Sequence, residues 1–401
     1  MPASLLFLLV AFMALQPIST DLYLASLPSI ATAFGVGAPA AQQTLTVFMA
    51  GFAGAQLVAG PVSDRFGRVP VALGGCTLYL AASVAAAFSG SLAALVAARF
   101  AQAVGVCCTV MCARAIVRDL YAPDVGARTM ARVFTWMTGA IMAGPMLGGV
   151  LQARFGWRAA FAAMGAASAV ALAVALARLP ETNRRRDARA LDPATLGRTY
   201  RAIAASPVFR AYALLSLFSY ATLFSFIAGS SFVMIRTLGL TPREYGVCFG
   251  SIATGYWTGT MLARPLIGRL GLQRAVYPAA VWALAMGAAM LGLAAAGVRH
   301  PSAVLLPAIG FLIAHGVVQP CSQAGAVAPF PRQAGAAAAL MGAVTVAGVL
   351  VHLAAQAIAL RLAAPGHDGI VQLAATFFAG TAGLAAVALG LVRRDGRVAA
   401  A

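Results

Sequence analysis

Twelve runs of about twenty apolar residues, separated by short gaps that hold arginine, leave this chain little choice of fold. A helix needs ~20 apolar residues to cross the ~30 Å hydrocarbon core of a bilayer, and inside it every backbone polar group must be satisfied within the segment. The runs lie near residues 4–30, 42–62, 69–89, 92–117, 128–152, 157–178, 209–234, 243–264, 275–297, 302–324, 334–361 and 370–392. At 61 % hydrophobic and 9 % charged residues, the composition excludes a soluble domain. The expectation is an all-α membrane protein of twelve transmembrane helices. One longer polar stretch, residues 179–208, divides the runs six and six, giving an N-terminal half 1–178, a linker 179–208 and a C-terminal half 209–401.

The net charge of +18 does not indicate nucleic-acid binding. All 28 basic residues are Arg, and most sit in the gaps rather than on one face. With both termini on the cytoplasmic side, 20 Arg fall on that side and 6 on the other, with Arg99 and Arg114 inside the fourth run. This bias places both termini on the cytoplasmic side of the membrane. The N-terminal run ends in Ala31-Thr32-Ala33, which imitates a signal-peptide cleavage site. No basic residue precedes Arg65, so the run is read as a retained span. The six cysteines lie in apolar runs and imply neither disulfides nor a metal site, and the four histidines lack the spacing of a catalytic or metal set. The chain reads as a non-enzyme with no cofactor.

Asp21 is the only charge between Ser4 and Ala33, and the other nine acids fall in loops, tails or helix ends. At about 1.5 Å rise per residue it sits deep in the bilayer, where an ionisable residue is a functional-site hypothesis by default. The plainer alternative is a hydrogen-bonded acid that holds two helices together. Arg99, in Arg99-Phe100-Ala101-Gln102-Ala103-Val104-Gly105, lies at mid-bilayer depth and must pair, face water or snorkel. The fifth run carries Gly144-Pro145-Met146-Leu147-Gly148-Gly149: a proline that kinks a helix beside glycines that let another helix approach. Between runs two and three, Gly60, Asp64, Arg65, Gly67 and Arg68 form a tight charged turn. A weaker copy, Pro265 to Gly271, follows run eight at an offset of 204 residues, with Gly268 in place of Asp64. Thr241-Pro242-Arg243-Glu244 reads as a capping box, and Asp124 as a cap of the fifth helix. His315 and Gln319, like His352 and Gln356, share a helix face at a spacing of four, and either line a cavity or bond between helices. Aromatic residues including Tyr23, Tyr220, Phe224, Phe226, Tyr256 and Trp257 either pack or form a pocket.

The order of residues in the charged turn, Gly-x-x-x-Asp-Arg-x-Gly-Arg, resembles the signature of the major facilitator superfamily, and the offset repeat matches its two pseudo-symmetric six-helix halves. The resemblance implies a latch formed by the turn that gates the cytoplasmic side, resting here on the first copy. Arg-x-x-Gln-x-x-Gly resembles the family's fourth-helix motif, whose Arg is tied to proton transfer, and Gly-Pro-x-x-Gly-Gly resembles the motif of its drug/proton antiporters. Ser19 to Pro28 and Ala113 to Tyr121, which includes Arg118, resemble the Bcr/CflA drug-resistance subfamily. Ala25 stands where that pattern usually has Pro, which implies a milder kink after Asp21. The resemblance covers nearly the whole chain. It implies a monomeric transporter that exports drug-like molecules against protons, with the proton as its coupling ion and Asp21 and Arg99 as the coupling pair. Gly60, Asp64, Arg65, Gly67, Arg68, Arg118, Gly144, Pro145, Gly148 and Gly149 would serve gating, and Tyr23, Gln102, Tyr220, Phe224, Tyr256, His315, Gln319 and Gln356 are the candidate substrate contacts.

Overall fold

The computed structural model describes residues 3–121, 123–183, 186, 192–330, 333–362 and 369–398, which hold helices and turns and, among the described residues, no strand. In chain order the helices are α1 (Ala3–Asp21), α2 (Leu27–Ala33), α3 (Ala38–Phe66), α4 (Arg68–Ala87), α5 (Leu92–Leu120), α6 (Pro123–Phe155), α7 (Arg158–Arg178), α8 (Pro193–Ala205), α9 (Pro207–Ser231), α10 (Pro242–Arg274), α11 (Val276–Ala295), α12 (Pro301–Val327), α13 (Ala334–Leu362) and α14 (Gly369–Val398). Their starts follow local chemistry. Ser91 Oγ accepts from the Ala94 amide at 3.2 Å, and Ser206 Oγ accepts from Phe209 at 3.4 Å. The expected capping box opens α10: the Thr241 amide donates to Glu244 Oε2 at 2.8 Å and the Glu244 amide donates to Thr241 Oγ1 at 3.2 Å. The side chain of Asp124 lies outside the described residues.

Among the described residues, eleven helices are long and apolar enough to cross a membrane, the first of them the composite Ser4–Ala33. The twelfth expected span, 243–264, falls in α10, which has the length but is less apolar because Gly, Ser, Thr and Arg interrupt it. Two compact units divide the chain, Met1–Gly197 with Thr241–Gly250, and Arg198–Leu240 with Ser251–Ala401. In the first unit α5 packs on α3 and α4, α4 on α7, and α1 on α6. Where α4 crosses α5, a Cβ on Gly75 would meet the Gly105 carbonyl at 2.7 Å, so this crossing needs glycine and brings the backbone beneath Arg99 close to α4. In the second unit α9 packs on α12, α13 and α14, while α11 packs on α12 and α14.

The charged turn and its copy share a backbone feature. Gly67 has φ of +105° and Gly271, 204 residues on, has φ of +76°. Both occupy a region that side chains with a Cβ rarely adopt. The repeat is therefore conserved in conformation even where the second copy lacks the acid.

Candidate functional site

The first transmembrane segment is not one bent helix. A mild kink was the expectation from Ala25, but α1 stops at Asp21, a short 3-10 turn covers Leu24–Ser26, and α2 begins at Leu27 with Pro28 at its start. A helix end leaves carbonyls without intrahelical partners, and in an apolar interior they need other donors. Arg99 supplies one: its Nη2 donates to the Ser19 carbonyl at 2.9 Å. The helix end at the break is thus held by a partner 80 residues away.

Arg99 is fully buried. Its Nε donates to the Thr44 carbonyl at 3.3 Å and its Nη1 to Gln102 Oε1 at 2.9 Å, while Gln102 Nε2 donates to Ser83 Oγ at 2.7 Å. The guanidinium carbon lies 4.3 Å from the centre of the Phe48 ring and 4.4 Å from that of Tyr23. A delocalised guanidinium can be held this way, by carbonyl acceptors and ring faces, without a carboxylate. Arg99 thus neither snorkels nor pairs with Asp21 in this structure. Tyr23 and Gln102, expected as substrate contacts, lie in this network. Both are fully buried and engaged around Arg99, so neither presents a free surface.

Asp21 is 8 % exposed and accepts a hydrogen bond from Thr20 Oγ1 at 2.8 Å, with no ion pair among the described residues. Next to it, Ser19 Oγ shares a hydrogen with Tyr79 Oη at 2.5 Å. The glycines of α6 cover the break. A Cβ on Gly148 would run into the Leu22 carbonyl, and one on Gly144 would come 3.7 Å from the Asp21 Cβ. On the other side of the string, a Cβ on Gly149 would meet the Pro242 carbonyl at 2.5 Å. Pro145 lies inside α6 as expected.

At the end of α3, the charged turn is a network. The Arg68 guanidinium lies 2.6 Å from Asp64 and 2.8 Å from Asp119 and donates to Ser63 Oγ at 2.7 Å, and Arg118 lies 3.6 Å from Asp64. Arg65 lies over the Phe66 ring instead, and Gly60 faces the Met111 methyl. The sequence reading missed the role of the segment that follows α7. Glu181 caps α4 by accepting from the amides of Arg68 at 3.0 Å and Val69 at 3.2 Å, Thr182 donates to Asp119 at 3.2 Å, and Asn183 Nδ2 donates to the Asp64 carbonyl at 2.8 Å. A Cβ on Gly67 would sit 2.5 Å from the Glu181 carboxylate, a second reason for glycine there. Burial pushes the Glu181 carboxyl up, but the backbone N–H groups of Asn183, Arg68, Val69 and Thr182 outweigh it and hold the carboxyl below its ordinary range. The Pro180-Glu181-Thr182-Asn183 string carried a signal, three polar side chains directly after a span, but nothing local named their targets.

In the second unit, His315 is buried with Nδ1 2.8 Å from Ser219 Oγ. Its ring centre lies 5.0 Å from that of Tyr220 and 5.8 Å from that of Tyr256, and Tyr220 stacks on Phe224 at 6.3 Å. Gln319 joins Ser216 on the same side of α12. The structure thus brings together Tyr220, Phe224, Tyr256 and His315, with Gln319 one turn further along α12. His352 lies 3.1 Å from the Thr376 carbonyl through Nε2, a bond between helices, and the side chain of Gln356 lies outside the described residues. No cluster of three or more His, Cys, Asp or Glu that could hold a metal occurs among the described residues.

The solved structures most like this one include a D-xylose-proton symporter (TM-score 0.70, 18 % identity, 95 % of this chain and 96 % of that one) and a peptide transporter in complex with sulfate (0.73, 14 %, 98 % and 94 %). At those identities they establish the fold. Among curated proteins, the chain is 28 % identical over 358 residues to the Escherichia coli protein named Multidrug resistance protein D, covering 88 % of each. It is 27 % identical over 342 residues to Multidrug resistance protein MdtL of Escherichia fergusonii, covering 84 % of each, and 36 % identical over 185 residues to a Chloramphenicol resistance protein of Pseudomonas aeruginosa, covering 45 % of this chain and 43 % of that one. The model of the Major Facilitator Superfamily matches residues 7–352. With that match, a fold of membrane-spanning helices, and a charged turn whose glycine recurs with the same backbone hand half a chain later, the protein belongs to the Major Facilitator Superfamily.

Proposed function

We propose that this protein exports drug-like small molecules across the inner membrane in exchange for protons, as a transporter of the Bcr/CflA type and as a monomer with both termini in the cytoplasm. The observation that carries the reading is Asp21: an acid in the interior of a span, buried, unpaired among the described residues, and seated where the first segment breaks. The names of the relatives supply the substrate class, and the α6 glycine string that covers the break resembles the antiporter motif.

In this mechanism Asp21 takes a proton from the extracytoplasmic side and yields it to the cytoplasm as the protein alternates its access. The proton switches the charge of the one acid in a span interior, so substrate and proton compete through that charge. Arg99 acts as a positioning residue. It holds the Ser19 carbonyl, and with it the helix end that presents Asp21.

The test is substrate-triggered proton release from everted vesicles across phenicols, bicyclomycin and lipophilic cations, wild type against Asp21→Asn. The expected outcome is dissipation of the pH gradient by wild type with at least one compound and none with the variant. Equal responses would reduce Asp21 to a structural acid, and no response to any compound would count against export of such molecules.

A further inference from the structure

The buried polar side chains of the second unit form a chain that stops one group short. Thr345 Oγ1 donates to Ser216 Oγ at 3.0 Å, and Ser216 in turn donates to Gln319 Oε1 at 3.3 Å. That order leaves Gln319 Nε2 as a donor. It has no partner among the described residues, although Gln319 is 5 % exposed. Ser322 Oγ, three residues along α12, is buried without a partner as well. One turn before Gln319 stands His315, with Nδ1 on Ser219 and its ring against Tyr220, Tyr256 and Phe311. Tyr220 and Tyr256 are half-buried and form the less enclosed side of the cluster.

A buried amide donor without an acceptor is costly, and a ligand that brings an acceptor relieves the cost. Aromatic rings beside it offer faces and edges for another ring. Acid is missing on this side. From Arg198 to Leu240 and from Ser251 to His367 the chain has no Asp or Glu, so nothing here would balance a cation.

We infer that Gln319, His315, Tyr220 and Tyr256 form a ligand subsite for an uncharged aromatic compound that carries an acceptor oxygen, such as a nitro or amide carbonyl oxygen. The ring packs among the three aromatic side chains and the oxygen accepts from Gln319 Nε2. The inference rests on the export reading in taking the cluster to face the substrate, and it adds the chemistry selected there.

Equilibrium dialysis with the full chain in nanodiscs tests it, using chloramphenicol as an uncharged nitroaromatic amide and tetraphenylphosphonium as an aromatic cation without an acceptor. Gln319→Leu removes the donor and Gln319→Glu replaces it with an acceptor. Each should weaken chloramphenicol binding by about tenfold, the upper end of one neutral hydrogen bond; Gln319→Leu should leave tetraphenylphosphonium unchanged, and Gln319→Glu, which adds the missing acid, should not weaken it. Tyr220→Leu should also weaken chloramphenicol, which keeps the test open if a Gln319 variant fails to fold by its melting temperature. Unchanged chloramphenicol binding in the folded variants, or no binding by wild type, overturns the subsite. Proton release from everted vesicles reads the export proposal separately. Release by wild type that is unaffected in Gln319→Leu sinks the subsite and leaves export standing. No release with any compound, alongside Gln319-dependent binding, sinks export and leaves the subsite.

Discussion

Arg99 holds its place without an acid. Its guanidinium reaches a carbonyl on α1, a carbonyl on α3, a glutamine on its own helix and two ring faces, so a compact ammonium could not replace it. Arg99→Lys should keep the charge and lose most of the bonds. Arg99→Ala leaves the Ser19 carbonyl and Gln102 Oε1 without their shared donor, for a loss of about 3 kcal/mol or more. The check is thermal unfolding in detergent, with the order wild type, Lys, Ala. A lysine variant as stable as wild type would show that charge alone matters. Asp21→Asn, by contrast, should fold normally, because Thr20 Oγ1 can still donate to the amide oxygen. What it should lose is proton release alone.

The elements depend on where their backbones can meet. α6 touches the break between α1 and α2 through Gly148, while Gly139 on the same helix has open space around its missing Cβ. Gly148→Ala should therefore push the Leu22 carbonyl away and cost about 1–3 kcal/mol. Gly139→Ala should be neutral or stabilise by up to about 1 kcal/mol through helix propensity. Melting temperatures of the two variants decide this, and equal effects would mean that the α6 string does not shape the break.

The segment after α7 acts as a cap on α4 through Glu181. Its folded-state carboxyl lies below the ordinary range. The docking it contributes is therefore present above that range and is lost as pH falls through the folded value. Melting temperature should drop on acidification more steeply in wild type than in Glu181→Gln. The difference should be modest, because Glu181 is largely solvent-exposed and screened. Parallel pH curves would remove Glu181 from the cap.

For the whole molecule, in the exchange proposed above, a single carboxylate in a span interior would carry one proton per cycle. Exchange of an uncharged drug for one proton then moves one positive charge inward each cycle. A potential negative inside should accelerate export even without a pH gradient, at about 2.3 kcal/mol per 100 mV for each charge moved. Drug efflux from proteoliposomes with an imposed potassium-diffusion potential measures this, and indifference to voltage would require a second compensating charge.

The amino-acid sequence by itself determined the place of eleven spans, the capping box at Thr241 and Glu244, the charged turn with its copy and the family. Each is a local requirement: hydrocarbon demands satisfied backbone over ~20 residues, and caps, turns and glycines act within a few positions. α10 blurred that reading only where polar residues dilute its length. Tertiary structure alone decided that the first segment breaks at Asp21, that Arg99 caps a carbonyl 80 residues away instead of pairing with the acid, and that Glu181 seals α4 across 113 residues. A buried donor must find an acceptor, but composition does not say which. Only the packing of helices brings an acceptor within reach of Arg99 and leaves Gln319 Nε2 without one among the described residues.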